Sequence, residues 1–112
     1  MREDQDRLAD VVEALDAIQR RVGIDRASFD ANELLRVWAL HHLLIVGEAC
    51  ARVSESLQAK YPEVPWRQIV GMRNVIVHGY FEVDWDEVWQ VVIGDALTLR
   101  KSVEEILRKD DR

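Results

Sequence analysis

The sequence predicts an all-α bundle of four to five helices. Three observations carry this reading. Apolar residues recur at steps of three and four along most of the chain, nothing alternates with period two for long, and no Asn-Gly or Asp-Gly pair signals a hairpin. At 112 residues the chain is expected to form a single domain, 1–112, around one modest core.

Leu8, Val11, Leu15, Ile18 and Val22 form one face of a first amphipathic helix, and Gly23 is a plausible stop for it. The following DRASFDANE reads as a polar turn. Within it Asp30 and Glu33 have capping-box spacing, which predicts a long second helix from about residue 31 to about residue 59. Leu34, Trp38, His41, Ile45 and Glu48 share a stripe of that helix, and Leu35, Leu44 and Cys50 widen its apolar surface. In YPEVP, Pro62 and Pro65 break the chain, and Pro65 can open a third helix that runs to His78 and ends at Gly79. Asp84 and Glu87 repeat the capping-box spacing ahead of a fourth helix, whose apolar face is Trp85, Val88, Val92, Leu99, Val103 and Ile106. Gly94 falls inside it and reads as a close-packing point, at a cost of ~1 kcal/mol relative to alanine.

The chain is 48% hydrophobic and 32% charged, which excludes a disordered acidic tail. Its net charge of −6 argues against gripping nucleic acid by bulk attraction, so any such chemistry needs a local site. Cys50 is the lone cysteine, so no intrachain disulfide can form and a reducing cytoplasm is the natural compartment. The opening MREDQDRLADVV has no continuous apolar segment of the signal-peptide kind, and no apolar run approaches the ~20 residues of a membrane span.

The stretch RNVIVHGY, residues 73–80, concentrates chemistry. On an ideal helix Asn74 and His78 are four apart and share a face, with Arg73 beside it. Histidine exchanges protons near neutrality, and arginine offers a permanently charged fork for phosphate oxygens. Asparagine can hold the imidazole in one tautomer or donate to phosphate. Such a set suits phosphodiester cleavage without a metal, because RNA carries its own nucleophile, the 2′-hydroxyl. A single histidine per chain is short of one base and one acid; a symmetric dimer would supply both. The competing reading is structural: a histidine capping a helix C-terminus and a solvated arginine. Spacing alone leaves both open.

The pattern Arg73-Asn74-x-x-x-His78-x-Tyr80 resembles the signature of HEPN-domain ribonucleases, and in particular the HepT-like toxins paired with a minimal nucleotidyltransferase antitoxin. PWRQIVGMRNVIVHGYF is similar to that family's third-helix block and VGEACARVSE to its second-helix block. The resemblance implies a HEPN-like, homodimeric bundle that cleaves RNA, tRNA or mRNA among the candidates, without a cofactor, at a composite site in the dimer cleft. It carries Arg73 and His78 over as catalytic residues, Asn74 as a supporting residue, and Tyr80 as the tyrosine that the cognate antitoxin adenylylates. The alternative is a non-catalytic subunit that binds nucleotide or substrate for a nucleotidyltransferase.

Other residues invite weaker readings. His41 and His42 are adjacent, so a helix points them apart, and no third ligand completes metal spacing; no metal is expected, and His41 reads as a partly buried histidine. Glu48 lies seven residues from His41 among apolar neighbours and should have a partner, either a structural ion pair or Arg73 itself, held from a second layer. Trp38, Trp66, Trp85 and Trp89 read as core or dimer interface rather than base-stacking platforms. The acidic Asp84, Asp86 and Glu87 suit a helix N-terminus, and Cys50 reads as a small buried hydrophobe.

Overall fold

The three-and-four spacing of Leu8, Val11, Leu15 and Ile18 winds Arg2–Arg21 into helix α1, with these four side chains in the core. Glu3 and Asp4 in its first turn and Arg20 and Arg21 in its last complement the helix dipole. The structure, a computed structural model, describes residues 2–78 and 82–110.

The expected polar turn instead contains a short helix, α2, Arg26–Ala31. Asp25 caps it by accepting from the Ala27 amide at 3.1 Å. Phe29, 1% exposed, anchors it, with its ring centroid 5.1 Å from that of Trp89. The Asp30–Glu33 capping box does not form. Asn32 caps the next helix, α3, by accepting from the Leu35 amide.

Helix α3 spans Glu33–Ala51 and stops well short of residue 59. The chain breaks at Arg52–Ser54, and a separate α4, Glu55–Lys60, follows. The break has a long-range cause. Ser54 caps α4 by accepting from the Leu57 amide, and both its amide and its hydroxyl donate to Asp4 of α1, at 2.8 and 2.6 Å. Contrary to the expectation that no apolar run approaches the length of a span, the 19-residue helix α3 is long and apolar enough to cross a membrane by length and composition. Here it packs against α1, α2, α5, α6 and α7, burying Ala39, Leu43, Val46, Ala49 and Cys50.

The third predicted helix is two. Helix α5 is Trp66–Val70, with Pro65 just outside it; Gly71 bends the chain, and α6 is Met72–Ile76. Helix α5 packs on α3 beside Gly47, where a Cβ would sit 3.4 Å from the Ile69 carbonyl oxygen, an ordinary contact. The expected continuation to His78 is replaced by a two-residue strand, β1 (Val77–His78), antiparallel to β2 (Glu82–Val83), with Val77 opposite Val83 and His78 opposite Glu82. Two residues are too few for alternation to show in a sequence. Gly79, the expected helix stop, lies outside the described residues.

The fourth predicted helix is continuous in direction but has three parts: α7 (Trp85–Gln90), a π-helical turn (Val91–Asp95) and α8 (Ala96–Lys109). Asp84 caps α7 by accepting from the Glu87 amide at 3.1 Å, as its spacing predicts. The close-packing role expected of Gly94 is not seen: a Cβ there would meet nothing within 4 Å, and the residue is exposed in the π turn.

Helix α8 closes the bundle against α1. Arg100 pairs with Asp16 at 2.6 Å and donates to Gln19, and the Gln5 amide group donates to the Asp110 carbonyl at 2.6 Å. Leu8, Val11, Leu43, Val46, Ile76, Val88, Val103 and Ile106 meet in one shared core. The architecture is all-α and HEPN-like, with the two-residue strand pair as a local detail of the chain reversal between α6 and α7.

Candidate active site

Helix α6 is only five residues long, so one deep anchor decides how it sits. That anchor is Ile76, 0% exposed, assisted by half-buried Met72. With Ile76 inward, Arg73, Asn74 and Val75 face solvent. Their backbone is nonetheless held: the Asn74 amide donates to the Gly71 carbonyl at 3.0 Å, and the Val77 amide donates to that of Arg73. No carboxylate among the described residues pairs with Arg73, which leaves its guanidinium fork available to a phosphate.

His78 leaves α6 for β1, so the helical face predicted for Asn74 and His78 does not exist. They belong to consecutive elements, and among the described residues Arg73, Asn74 and His78 make no direct hydrogen bond with one another. The His78 side chain is 53% exposed, and its Nε2 lies 3.8 Å from Asp84 Oδ2. Asp84 is itself tightly placed. Its amide donates to the Ile76 carbonyl at 2.6 Å, and Oδ1 accepts from the Glu87 amide. One residue thus ties the end of α6 to the start of α7 and turns its remaining carboxylate oxygen toward the imidazole. Sequence reasoning gave Asp84 a capping role only; the signal for more was its position just past the strand that faces His78.

Tyr80 lies outside the described residues. Glu48 requires a correction. Its side chain is 76% exposed rather than set among apolar neighbours; of its two expected roles the ion pair is the one seen, with Arg52 at the end of α3 at 3.9 Å, and not the contact with Arg73. The stripe assignment failed because α3 turns its exposed side, with Leu34 80% exposed and Val37 51% exposed, away from the core. His41, expected to be partly buried, is exposed; its neighbour His42 is the anchored one, donating from Nδ1 to the Trp38 carbonyl at 2.8 Å.

The tryptophans serve packing. Trp38 donates to the Ala17 carbonyl at 2.7 Å and Trp66 to the Tyr61 carbonyl at 3.0 Å, while Trp85 and Trp89 close around Phe29. Asp86 is engaged by Arg26 at 2.6 Å. Cys50 is fully buried, and burial pushes its thiol up to about 12, so it remains protonated and inert. A cleft of about 300 Å³ behind α6 is lined by Val75, Ile76, Leu43 and Leu99, with Glu63, Glu87 and Asp95 also in its lining. Its apolar walls and carboxylates do not suit a phosphate, and Arg73, Asn74 and His78 do not line it.

Chemically, the exposed edge offers a fixed cation, an amide and an imidazole next to a carboxylate, presented by a short helix and the strand after it. These features define an all-α, HEPN-like domain with an exposed edge that carries arginine, asparagine and histidine. Residues 11–106 match the family described as Ribonuclease HepT-like, and the chain belongs to that family. A relative named "Putative RNase" from Methanocaldococcus jannaschii is 36% identical over 98 residues, covering 87% of this chain and 90% of its own. A similarly named protein from Caldanaerobacter subterraneus subsp. tengcongensis is 33% identical over 93 residues, covering 83% of each chain. "Probable ribonuclease HepT" from Thermococcus cleftensis is 29% identical over 108 residues, covering 94% of this chain and 96% of its own. No solved structure matches the chain.

Proposed function

We propose that this chain is a metal-independent endoribonuclease, the toxin of a pair whose antitoxin is a minimal nucleotidyltransferase. The observation that carries the reading is the Arg73–Asn74–His78 set, solvent-facing on an anchored backbone, in a chain of the HepT-like ribonuclease family. In this reading the RNA 2′-hydroxyl gives up its proton to His78 and attacks the adjacent phosphorus. Arg73 neutralises the charge that builds on the phosphate oxygens, with Asn74 donating beside it. The 5′-oxygen leaves with a proton, and a 2′,3′-cyclic phosphate remains. One imidazole acts as base and another as acid, so the reading includes a homodimer in which the partner subunit's His78 supplies the second group. The chain works as a single domain in the cytoplasm. Tyr80, two residues past His78, is the acceptor of adenylate from the antitoxin, and the added phosphate would compete for Arg73.

The test is incubation of the purified protein with end-labelled RNA in excess EDTA, beside Arg73→Ala and His78→Ala. Cleavage should persist, yield cyclic-phosphate ends, and fall by about 100-fold or more in each variant, as expected for loss of charge stabilisation or of an acid–base group. A magnesium requirement or 3′-hydroxyl ends would overturn the mechanism. The net charge of −6 favours a second reading, a subunit that binds nucleotide for the nucleotidyltransferase without cutting RNA. Binding with no cleavage at any RNA concentration would select it.

A further inference from the structure

We infer that Asp84 is a positioning residue for His78: its free carboxylate oxygen holds Nε2, which leaves Nδ1 as the atom that exchanges the proton with RNA. The inference rests on the ribonuclease reading for its catalytic part, but the pairing itself rests on geometry. Asp84 divides its two oxygens. Oδ1 accepts from the Glu87 amide at 3.1 Å, and Oδ2 lies 3.8 Å from His78 Nε2. That separation is within ion-pair range and less than ~1 Å beyond a direct hydrogen bond, as is common at catalytic pairs before substrate tightens them. The backbones of both partners are held. The Asp84 amide is bonded to Ile76, a residue with no exposed surface, and His78 is held in register opposite Glu82.

A carboxylate accepts hydrogen bonds and never donates, so the neutral imidazole beside it keeps its proton on Nε2. The Nδ1 lone pair is then the base. After proton transfer the same carboxylate faces an imidazolium and stabilises it, the role an orienting aspartate plays toward histidine in other hydrolytic sites. Of the neighbouring acids, Glu82 is opposite His78 across the strand pair, Asp86 is engaged by Arg26, and the Glu87 amide is the capping donor. Among the described residues, Asp84 is the one whose carboxylate comes within 4 Å of the ring, at 3.8 Å.

Asp84→Asn makes the test sharp. Asparagine caps helices as well as aspartate, so its Oδ1 keeps the Glu87 amide and α7 stays intact. The end turned to His78 then becomes an NH₂ donor, which favours a lone pair on Nε2 and a proton on Nδ1, the wrong tautomer. Long-range ¹H–¹⁵N spectra of the imidazole should show the Nε2–H pattern in the wild type and a shift toward Nδ1–H in Asp84→Asn. RNA cleavage by that variant should lose about 10²-fold in kcat with KM within about twofold, because binding by Arg73 is untouched. Asp84→Ser, which retains a capping oxygen without the amide donor, should lose less, and Glu82→Gln should change neither spectrum nor rate.

An unchanged tautomer pattern in Asp84→Asn, or wild-type kcat in a folded variant, overturns the inference. So does a loss in Glu82→Gln equal to that in Asp84→Asn, since that would reflect general charge rather than contact. The spectrum needs no RNA. A tautomer change in a protein that fails to cleave RNA would therefore support the pairing while sinking the ribonuclease reading.

Discussion

At the scale of single residues, Asp4 shows how one side chain can set distant structure. It is 5% exposed, and both its oxygens are taken by Ser54, one by the amide and one by the hydroxyl. Asp4→Ala would leave the Ser54 amide without its acceptor and loosen the junction between α3 and α4. Hydrogen bonds to a charged group contribute about 1.5–3 kcal/mol each, and relaxation recovers part of that, so a loss of about 2 kcal/mol is expected. Urea denaturation with an unchanged m-value would verify it; a loss under ~0.5 kcal/mol would mean that Ser54 finds water instead. Residue-scale chemistry was unevenly legible. Arg73, Asn74 and His78 stand out because polar groups interrupt an apolar run. The Asp84–His78 contact could not be read, because Asp84 spaced three residues before Glu87 is fully accounted for as a cap.

Helices that depend on their own periodicity were the readable ones. Helix α1 follows its Leu8–Val11–Leu15–Ile18 spacing, and α7 through α8 follow Trp85 to Ile106 as one direction of chain. Elements decided by tertiary contacts were not. The α3–α4 break answers to Asp4, fifty residues away, and α2 exists because Phe29 has two tryptophans to pack on. The strand pair around His78 is too short to leave a pattern. The π turn at Val91–Asp95 offers a test at this scale. Gly94 there is exposed and touches nothing, so its lack of a side chain only adds backbone freedom to the unfolded chain. Gly94→Ala should stabilise the protein by ~1 kcal/mol, the usual glycine-to-alanine difference in a helix, raising the urea midpoint without affecting RNA cleavage. A fall in stability would show that the π turn needs glycine.

For the whole molecule, charge and activity are separate matters. A net −6 would repel RNA at a distance, but at physiological salt that field fades over ~8 Å, and in the proposed reading Arg73 would work within contact range. The arrangement of the chain has a further consequence. Gln5 of α1 donates to Asp110 just past α8, and those two helices run against each other, so the ends of the described chain are neighbours. Between α1 and α2, Ile24 is 93% exposed and Gly23 has open space around it. A circular permutant that joins residue 110 to residue 2 through a short Gly-Ser linker and opens at Ile24 would keep every core contact. It should unfold in one cooperative transition with a midpoint close to that of the natural order, and match the natural order in an RNA-cleavage assay. Helix α1 would then be made after α2 to α8 instead of before them, docking onto α3 and α8 once both exist. A permutant that collapses into aggregates would show that this helix must lead, and that the order of synthesis, not only the set of contacts, guides the chain home.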